Sequence, residues 1–340
     1  MQPDGAREFL MSQGRFTSPL GAALTGIFDL FRAAPLKLRY TPDIRFDSRR
    51  ILITGATTGL GYAVAEECAR RGADLTLACR SGIPQTGEKI REVTGNAKVD
   101  MSRLDLADLD SIHACVDGLV SEGRTFDVVI FNAAVTLAKS RRTASGQDEM
   151  FLVNYLANVM LACLLLKRGC LASDARLLFI SSDSHRGASA IDWAEFGTFF
   201  DYGVSKAISN YSYFKLLLNI MATELDRRLR TDGFSGTVNL ICPGPVNSNI
   251  IREAPPFLRM VLRGIFTVIF KSPAKAAEPV VYLAGSADFN NRSNVYLHMF
   301  AEKPMDPKVY DPEEGQKLWD ASVDLWKRID SRASEALTDL

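Results

Sequence analysis

Two pairs of side chains in this chain have a spacing that suits proton-transfer chemistry: Tyr202 with Lys206, and Tyr211 with Lys215. A free phenol titrates near ~10, too high to exchange a proton readily at neutral pH without help. An ammonium four residues further along a helix lies on the same face and can stabilise the phenolate. Either pair could therefore pass a proton to or from the oxygen of a carbonyl or an alcohol.

A second chemically loaded stretch is Ile51-Leu-Ile-Thr-Gly-Ala-Thr-Thr-Gly-Leu-Gly61, an apolar strand running into a glycine-rich turn that opens a helix. In that setting Gly55 takes a tight turn, Gly59 lets the backbone approach a pyrophosphate and Gly61 allows close packing. Thr57, Thr58 and Leu60 fill the turn, and the free N–H groups of the helix start attract the anion. In a dinucleotide fold, a carboxylate closing the second strand would hold the ribose 2′-hydroxyl. Here that strand ends Leu77-Ala-Cys-Arg80-Ser81, and the Arg80 guanidinium can grip a 2′-phosphate, so the cofactor expected is NADP(H). A surface arginine with no such contact is the plainer alternative.

The elements that must position these groups follow from hydrophobic periodicity. Short β-rich runs are expected at residues 50–54, 73–79, 98–104, 127–132, 176–180, 237–241 and 294–299. Between them, 62–71, 109–120, 149–167 and 211–230 carry apolar residues at helical spacing. The alternation predicts an α/β, doubly wound Rossmann fold: a seven-stranded parallel sheet with helices on both faces, in a single domain. The division expected is 1–47 as an N-terminal extension with an amphipathic helix, 48–300 as the catalytic unit and 301–340 as a C-terminal helical extension. In the extension Leu20, Leu24, Ile27, Phe28 and Phe31 share one face, which either packs on the domain or lies on a membrane surface.

Composition narrows the function. Forty basic residues balance forty acidic ones, leaving no overall field to gather nucleic acid. The six cysteines include no CxxC pair, so no metal site is expected, and buried reduced thiols fit a reducing compartment. The opening MQPDGAREFL has an acidic residue where an export signal would need its basic segment, so no export signal is expected, and no run reaches the roughly 18 uninterrupted apolar residues of a membrane span. A cytoplasmic protein is expected, with peripheral membrane contact through 18–36 or 249–272 left open.

The glycine spacing, with Thr54 ahead of Gly55, resembles the short-chain dehydrogenase/reductase family, in its retinol-dehydrogenase-like and WW-domain-oxidoreductase-like branch. The resemblance runs nearly from Arg49 to the C-terminus and implies tyrosine-assisted hydride transfer. Tyr-Gly-Val-Ser-Lys206 is locally the better match, having serine before the lysine. The run from Lys215 to Leu229, however, resembles without a gap the helix that follows the family's catalytic lysine, and the distance from Tyr211 to Pro243-Gly244 also suits the family. Tyr211 and Lys215 are therefore the expected pair.

By the same resemblance, Ser182 hydrogen-bonds the substrate oxygen and Asn154 bends its helix and holds a water behind the lysine. Asp105 and Leu106 cap the adenine, and Asn132 and Ala133 line the cofactor ribose. The loop Pro243-Gly244-Pro-Val246-Asn-Ser248 holds the nicotinamide carboxamide. Phe131, Ala134, Ala157 and Asn158 depart from the family pattern. His185 is assigned no chemistry.

Residues 249–272, apolar and aromatic with Arg252, Arg259, Arg263 and Lys271 interleaved, occupy the place of the family's substrate lid. Apolar walls favour a small lipophilic substrate such as a retinoid, a steroid or a long-chain ketone. A homodimer is compatible with the resemblance. Two other readings stand beside this one: a protochlorophyllide-reductase-like enzyme, which shares Asn-Ala-Ala-Val135 but has cysteine where Leu217 stands, and a non-catalytic NADP-binding sensor or scaffold.

Overall fold

A computed structural model describes residues 43–244 and 272–336. The amphipathic segment 18–36, Val246, Ser248 and all of the segment 249–272 except Ser272 lie outside the described residues.

Strands β1 (Arg50–Thr54), β2 (Asp74–Cys79), β3 (Val99–Arg103), β4 (Phe126–Phe131), β5 (Leu171–Ile180), β6 (Thr237–Cys242) and β7 (Tyr296–His298) fall where the alternation places them. They form one sheet in the order β3-β2-β1-β4-β5-β6-β7, all parallel. An eighth strand, β8 (Ala301–Glu302), pairs antiparallel with β7 and extends the sheet beyond the seven expected strands. It is two residues long, too short to register as a hydrophobic period.

Central strands read as unbroken apolar runs because both faces are covered. One face carries α1 (Gly59–Arg70), α2 (Gln85–Thr94) and α6 (Pro273–Gly285), burying Val64, Cys68, Ile90 and Val280 against Ile51, Ile53 and Leu75. The other carries α3 (Leu109–Ser121), α4 (Glu149–Lys167) and α5 (Val204–Thr231), and over them lies α7 (Pro312–Ile329). Helix α7 starts on an Asp311 cap that accepts from the N–H groups of Glu313 and Glu314. It buries Leu318, Trp319, Leu325 and Trp326, each removing a large apolar side chain from water at about 1.5–3 kcal/mol or more. The Tyr155 hydroxyl meets Ser322 Oγ at 2.6 Å, tying α4 to α7.

Helix α4 is long and apolar enough to cross a membrane, yet 89% of the matching window is buried inside the protein. It is a core helix, apolar all round because it is covered all round. The six cysteines are all free and buried.

Candidate functional site

The first turn after β1 is shaped by close approach. Gly55 has φ +69°, and a Cβ there would sit 2.9 Å from the Cα of Ala133. At Gly61 a Cβ would run into the Gly55 carbonyl and the Asn132 amide, so helix and strand can close only on glycine. Thr54 Oγ1 accepts from the N–H groups of both Asn132 and Ala133, each at 3.0 Å, and Asn132 Nδ2 donates to Thr54 O at 2.9 Å and Gly55 O at 3.0 Å. The ends of β1 and β4 are thus locked together. Thr58, the residue before α1, makes no side-chain cap, so the first-turn N–H groups of this helix are left for another acceptor.

Arg80 follows β2 directly and is exposed, with its Nη1 3.9 Å from Glu149 Oε1. Glu149 is held more closely by Arg141 at 2.9 Å. Asp105 turns its carboxylate onto the Ala107 N–H at 3.0 Å, and the Leu106 beside it is buried.

On the opposite side, α5 begins at Val204, seven residues earlier than the periodicity suggests, with Gly203 as its cap. Tyr202 therefore lies outside the helix, and the one-face argument fails for Tyr202 and Lys206. The Tyr202 ring is buried and its backbone bonds to Ser140, whereas Lys206 is exposed. Burial and the nearby Asp148 push the Tyr202 phenol well above its ordinary value.

Tyr211 and Lys215 are both inside α5, one turn apart, with the Lys215 ammonium 5.7 Å from the centre of the Tyr211 ring. Lys215 is buried, and its Nζ donates to Ile180 O at 2.7 Å, two residues before Ser182. Burial draws the ammonium down to about 8. Burial likewise pushes the Tyr211 phenol well above its ordinary value, with the charge of Cys242 acting in the same direction. The ammonium thus bonds a carbonyl here, and the phenol stays protonated at neutral pH.

Ser182 is extended (φ −145°), and its Oγ accepts from Ser184 Oγ at 2.9 Å. Asn154 lies in a π turn, Leu152–Leu156, inside α4. Its Oδ1 accepts from Val135 N and its Nδ2 donates to Val135 O, both at 2.7 Å, so the side chain clamps the loop after β4. Asn158 Nδ2 donates to Val153 O at 2.8 Å, which gives this departure from the family pattern a local purpose. Gly244 has φ +86°, at the start of the loop whose remainder, Val246 included, lies outside the described residues.

The sequence reading did not find the buried ionic group beside this site. Asp183 takes Lys303 at 3.0 Å, Arg186 at 3.0 Å and the Tyr296 hydroxyl at 3.2 Å. Although burial alone would raise it, Lys303, His298 and Arg186 hold the Asp183 carboxyl well below the usual range. His185, fully buried, has Nδ1 2.8 Å from Ser182 O and Nε2 accepting from Asp306 N at 3.1 Å; burial draws it down to about 4. These contacts fasten the Ser182 turn to residues some 120 positions later, a pairing that no local pattern announces.

Among the described residues, no group of three or more His, Cys, Asp or Glu side chains could hold a metal. A surface concavity of about 430 Å³ beside Leu166, Leu229 and Phe234 lies where α4 and α5 end, away from all of these groups.

The chain is similar to known proteins over most of its length. Residues 49–197 match the short chain dehydrogenase family model. Retinol dehydrogenase 13 of Mus musculus is 33% identical over 283 residues, covering 82% of this chain and 83% of its own length. Human retinol dehydrogenase 14 is 31% identical over 293 residues, covering 81% and 85%. Among solved structures, an uncharacterized protein from Mycobacterium paratuberculosis aligns with TM-score 0.66 and 25% identity over 84% of this chain and 96% of its own. The angucycline C-6 ketoreductase LanV, solved with bound NADP, shares the fold at TM-score 0.60 and 21% identity, over 75% of this chain and 95% of its own. With the fold, the glycine turn and these relatives in agreement, the chain belongs to the short-chain dehydrogenase/reductase family and is an oxidoreductase of its retinol-dehydrogenase-like group.

Proposed function

We propose that this chain is an NADPH-dependent reductase of lipophilic carbonyls, with Tyr211 as proton donor. The observation that carries the proposal is the placement of Tyr211 and Lys215 on one turn of α5, next to the carbonyl end of β5 that leads into Ser182.

Bound NADPH would supply the hydride. The residues present suit it: glycines where a side chain would block the backbone, uncapped N–H groups at the start of α1, and Arg80 rather than a carboxylate after β2. The Gly55, Thr57, Thr58, Gly59, Leu60 and Gly61 turn would hold the pyrophosphate, and Arg80 the 2′-phosphate. Asp105 and Leu106 would border the adenine and Asn132 and Ala133 the ribose, with Pro243, Gly244 and Val246 at the nicotinamide end.

Hydride arrival at a carbonyl carbon leaves charge on its oxygen. The Ser182 hydroxyl would donate to that oxygen, and the Tyr211 phenol, held protonated by burial, would give up its proton as the charge develops. Lys215 would then stabilise the phenolate, and Asn154, by clamping Val135, would keep the loop after β4 in place. The lipophilic substrate class is supported by the retinol dehydrogenases among the relatives.

The test is NADPH consumption, with NADH alongside, over a panel of retinoids, steroids and aliphatic ketones. Turnover of at least one lipophilic carbonyl with NADPH preferred is expected; tight NADPH binding with no turnover across the panel would favour a sensor.

A further inference from the structure

The loop after β4 doubles back on itself before α4 begins. Arg142 and Asp148 pair across it as an antiparallel bridge, Glu149 N donates to Arg141 O at 2.8 Å, and Thr143 N donates to Gln147 O at 2.8 Å. Both arms are pinned. Asp148 caps α4 by accepting from Phe151 N at 3.0 Å, and Ser140 Oγ donates to Asp201 Oδ1 at 2.9 Å. The turn thus sets Arg141 opposite Glu149, and Arg141 takes both carboxylate oxygens: Nε is 2.9 Å from Oε2 and Nη2 is 3.4 Å from Oε1.

Glu149 Oε1 also lies 3.9 Å from Arg80 Nη1. Arg80 leaves β2 beside the glycine turn, since a Cβ on Gly82, two residues on, would come within 3.2 Å of Thr57 Cγ2. A carboxylate therefore stands next to the guanidinium that faces the cofactor's adenine end. Its side chain is only 13% exposed, against 59% for Arg80 and 51% for Arg141, so water does little to damp its charge.

We propose that Arg141 and Glu149 are a specificity-determining pair for the cofactor: Arg141 cancels the charge of Glu149, and only with that charge cancelled does Arg80 take the 2′-phosphate of NADPH. This rests on the NADP(H) reading given above.

Left to itself, Glu149 would oppose that phosphate in two ways. It is a like charge in a partly dry place, and it competes for the same planar fork of donors on Arg80. Arg141 answers both. By gripping the two oxygens it leaves Arg80 beyond hydrogen-bond reach of Glu149, and its own charge offsets the carboxylate. A carboxylate closing β2 is what selects NADH in a dinucleotide fold. Here the carboxylate comes from the start of α4 instead, silenced by the arm of the loop facing it. NADH carries a hydroxyl in place of the phosphate and is indifferent to that cancellation.

The experiment is calorimetric titration of the full chain with NADPH and with NADH, which needs no turnover, for the wild type, Arg141→Gln, Glu149→Gln and the double variant. Arg141→Gln should weaken NADPH about tenfold, the effect of one unbalanced charge at a partly exposed site, and NADH by less than about twofold. Glu149→Gln should bind NADPH at least as tightly as the wild type. The double variant should return to within about twofold of the wild type, because the charge that needed cancelling is gone. A merely structural ion pair would not give that rescue. Equal losses for both cofactors in Arg141→Gln, no loss at all, or a double variant as weak as Arg141→Gln would overturn the proposal. So would weaker NADPH binding in Glu149→Gln, which would make the carboxylate a support for Arg80. A wild type that binds NADH as tightly as NADPH would remove the NADP(H) reading itself, and the role of the pair with it.

Discussion

Tyr202 with Lys206 and Tyr211 with Lys215 have the same spacing nine residues apart, and the fold treats them differently. The first tyrosine stands before the Gly203 cap, packed into the loop around Ser140, while its lysine points to solvent. The second pair lies wholly within α5, its lysine buried and bonded to the end of β5. Spacing defines a common face only where a helix exists. The start of α5 therefore decides which pair can do chemistry, more than the residues within either pair.

The largest effect that would sharpen this contrast is at the lysines. Lys215→Met should lower kcat/KM by about a hundredfold or more, the usual reach of proton-transfer groups, while Lys206→Met leaves it unchanged. Because an ammonium is costly to bury, Lys215→Met should keep or raise the melting temperature, so lost activity there would not be lost fold. Equal effects at both lysines would break the comparison.

Smaller, and on the cofactor side, Arg80→Ala should weaken NADPH by about 1.5–3 kcal/mol, the cost of a lost charged hydrogen bond, and leave NADH nearly untouched. Calorimetric titration with both cofactors checks this; equal losses would mean that Arg80 serves only its neighbour Glu149.

The smallest effect expected is on stability, at His185. Its folded value of about 4 lies below the ordinary value near 6.5. As pH falls between those values, the unfolded chain takes up a proton that the folded chain refuses, so stability is lost on acidification through that window. From pH 7 to pH 5 the loss should be about 2 kcal/mol. Thermal melts at the two pH values should show a smaller drop for His185→Gln than for the wild type; parallel drops would remove His185 as the cause.

Much of the fold was legible because parallel strands buried on both faces are written as short apolar runs, and seven of them were found within a few residues. Ile51 to Gly61 also carried its own context, a strand, a turn and a helix start in one stretch. What could not be read depends on contacts distant in sequence. Asp183 gave no sign of Lys303, since 120 residues separate them. Asn154 is expected by resemblance to bend its helix and hold a water, but its use as a clamp on Val135 appears only once the loop after β4 is laid against α4. The early start of α5 was hidden because its first turns are exposed, Val204 and Ile208 included, and Gly203 ahead of them offers no side-chain cap.

The central claim is that Tyr211, and not Tyr202, gives the proton. Turnover and NADPH binding measured side by side for Tyr211→Phe and Tyr202→Phe test it most directly. The account predicts that turnover vanishes in the first with NADPH still bound, and is nearly intact in the second; loss of turnover in Tyr202→Phe with Tyr211→Phe active would contradict it.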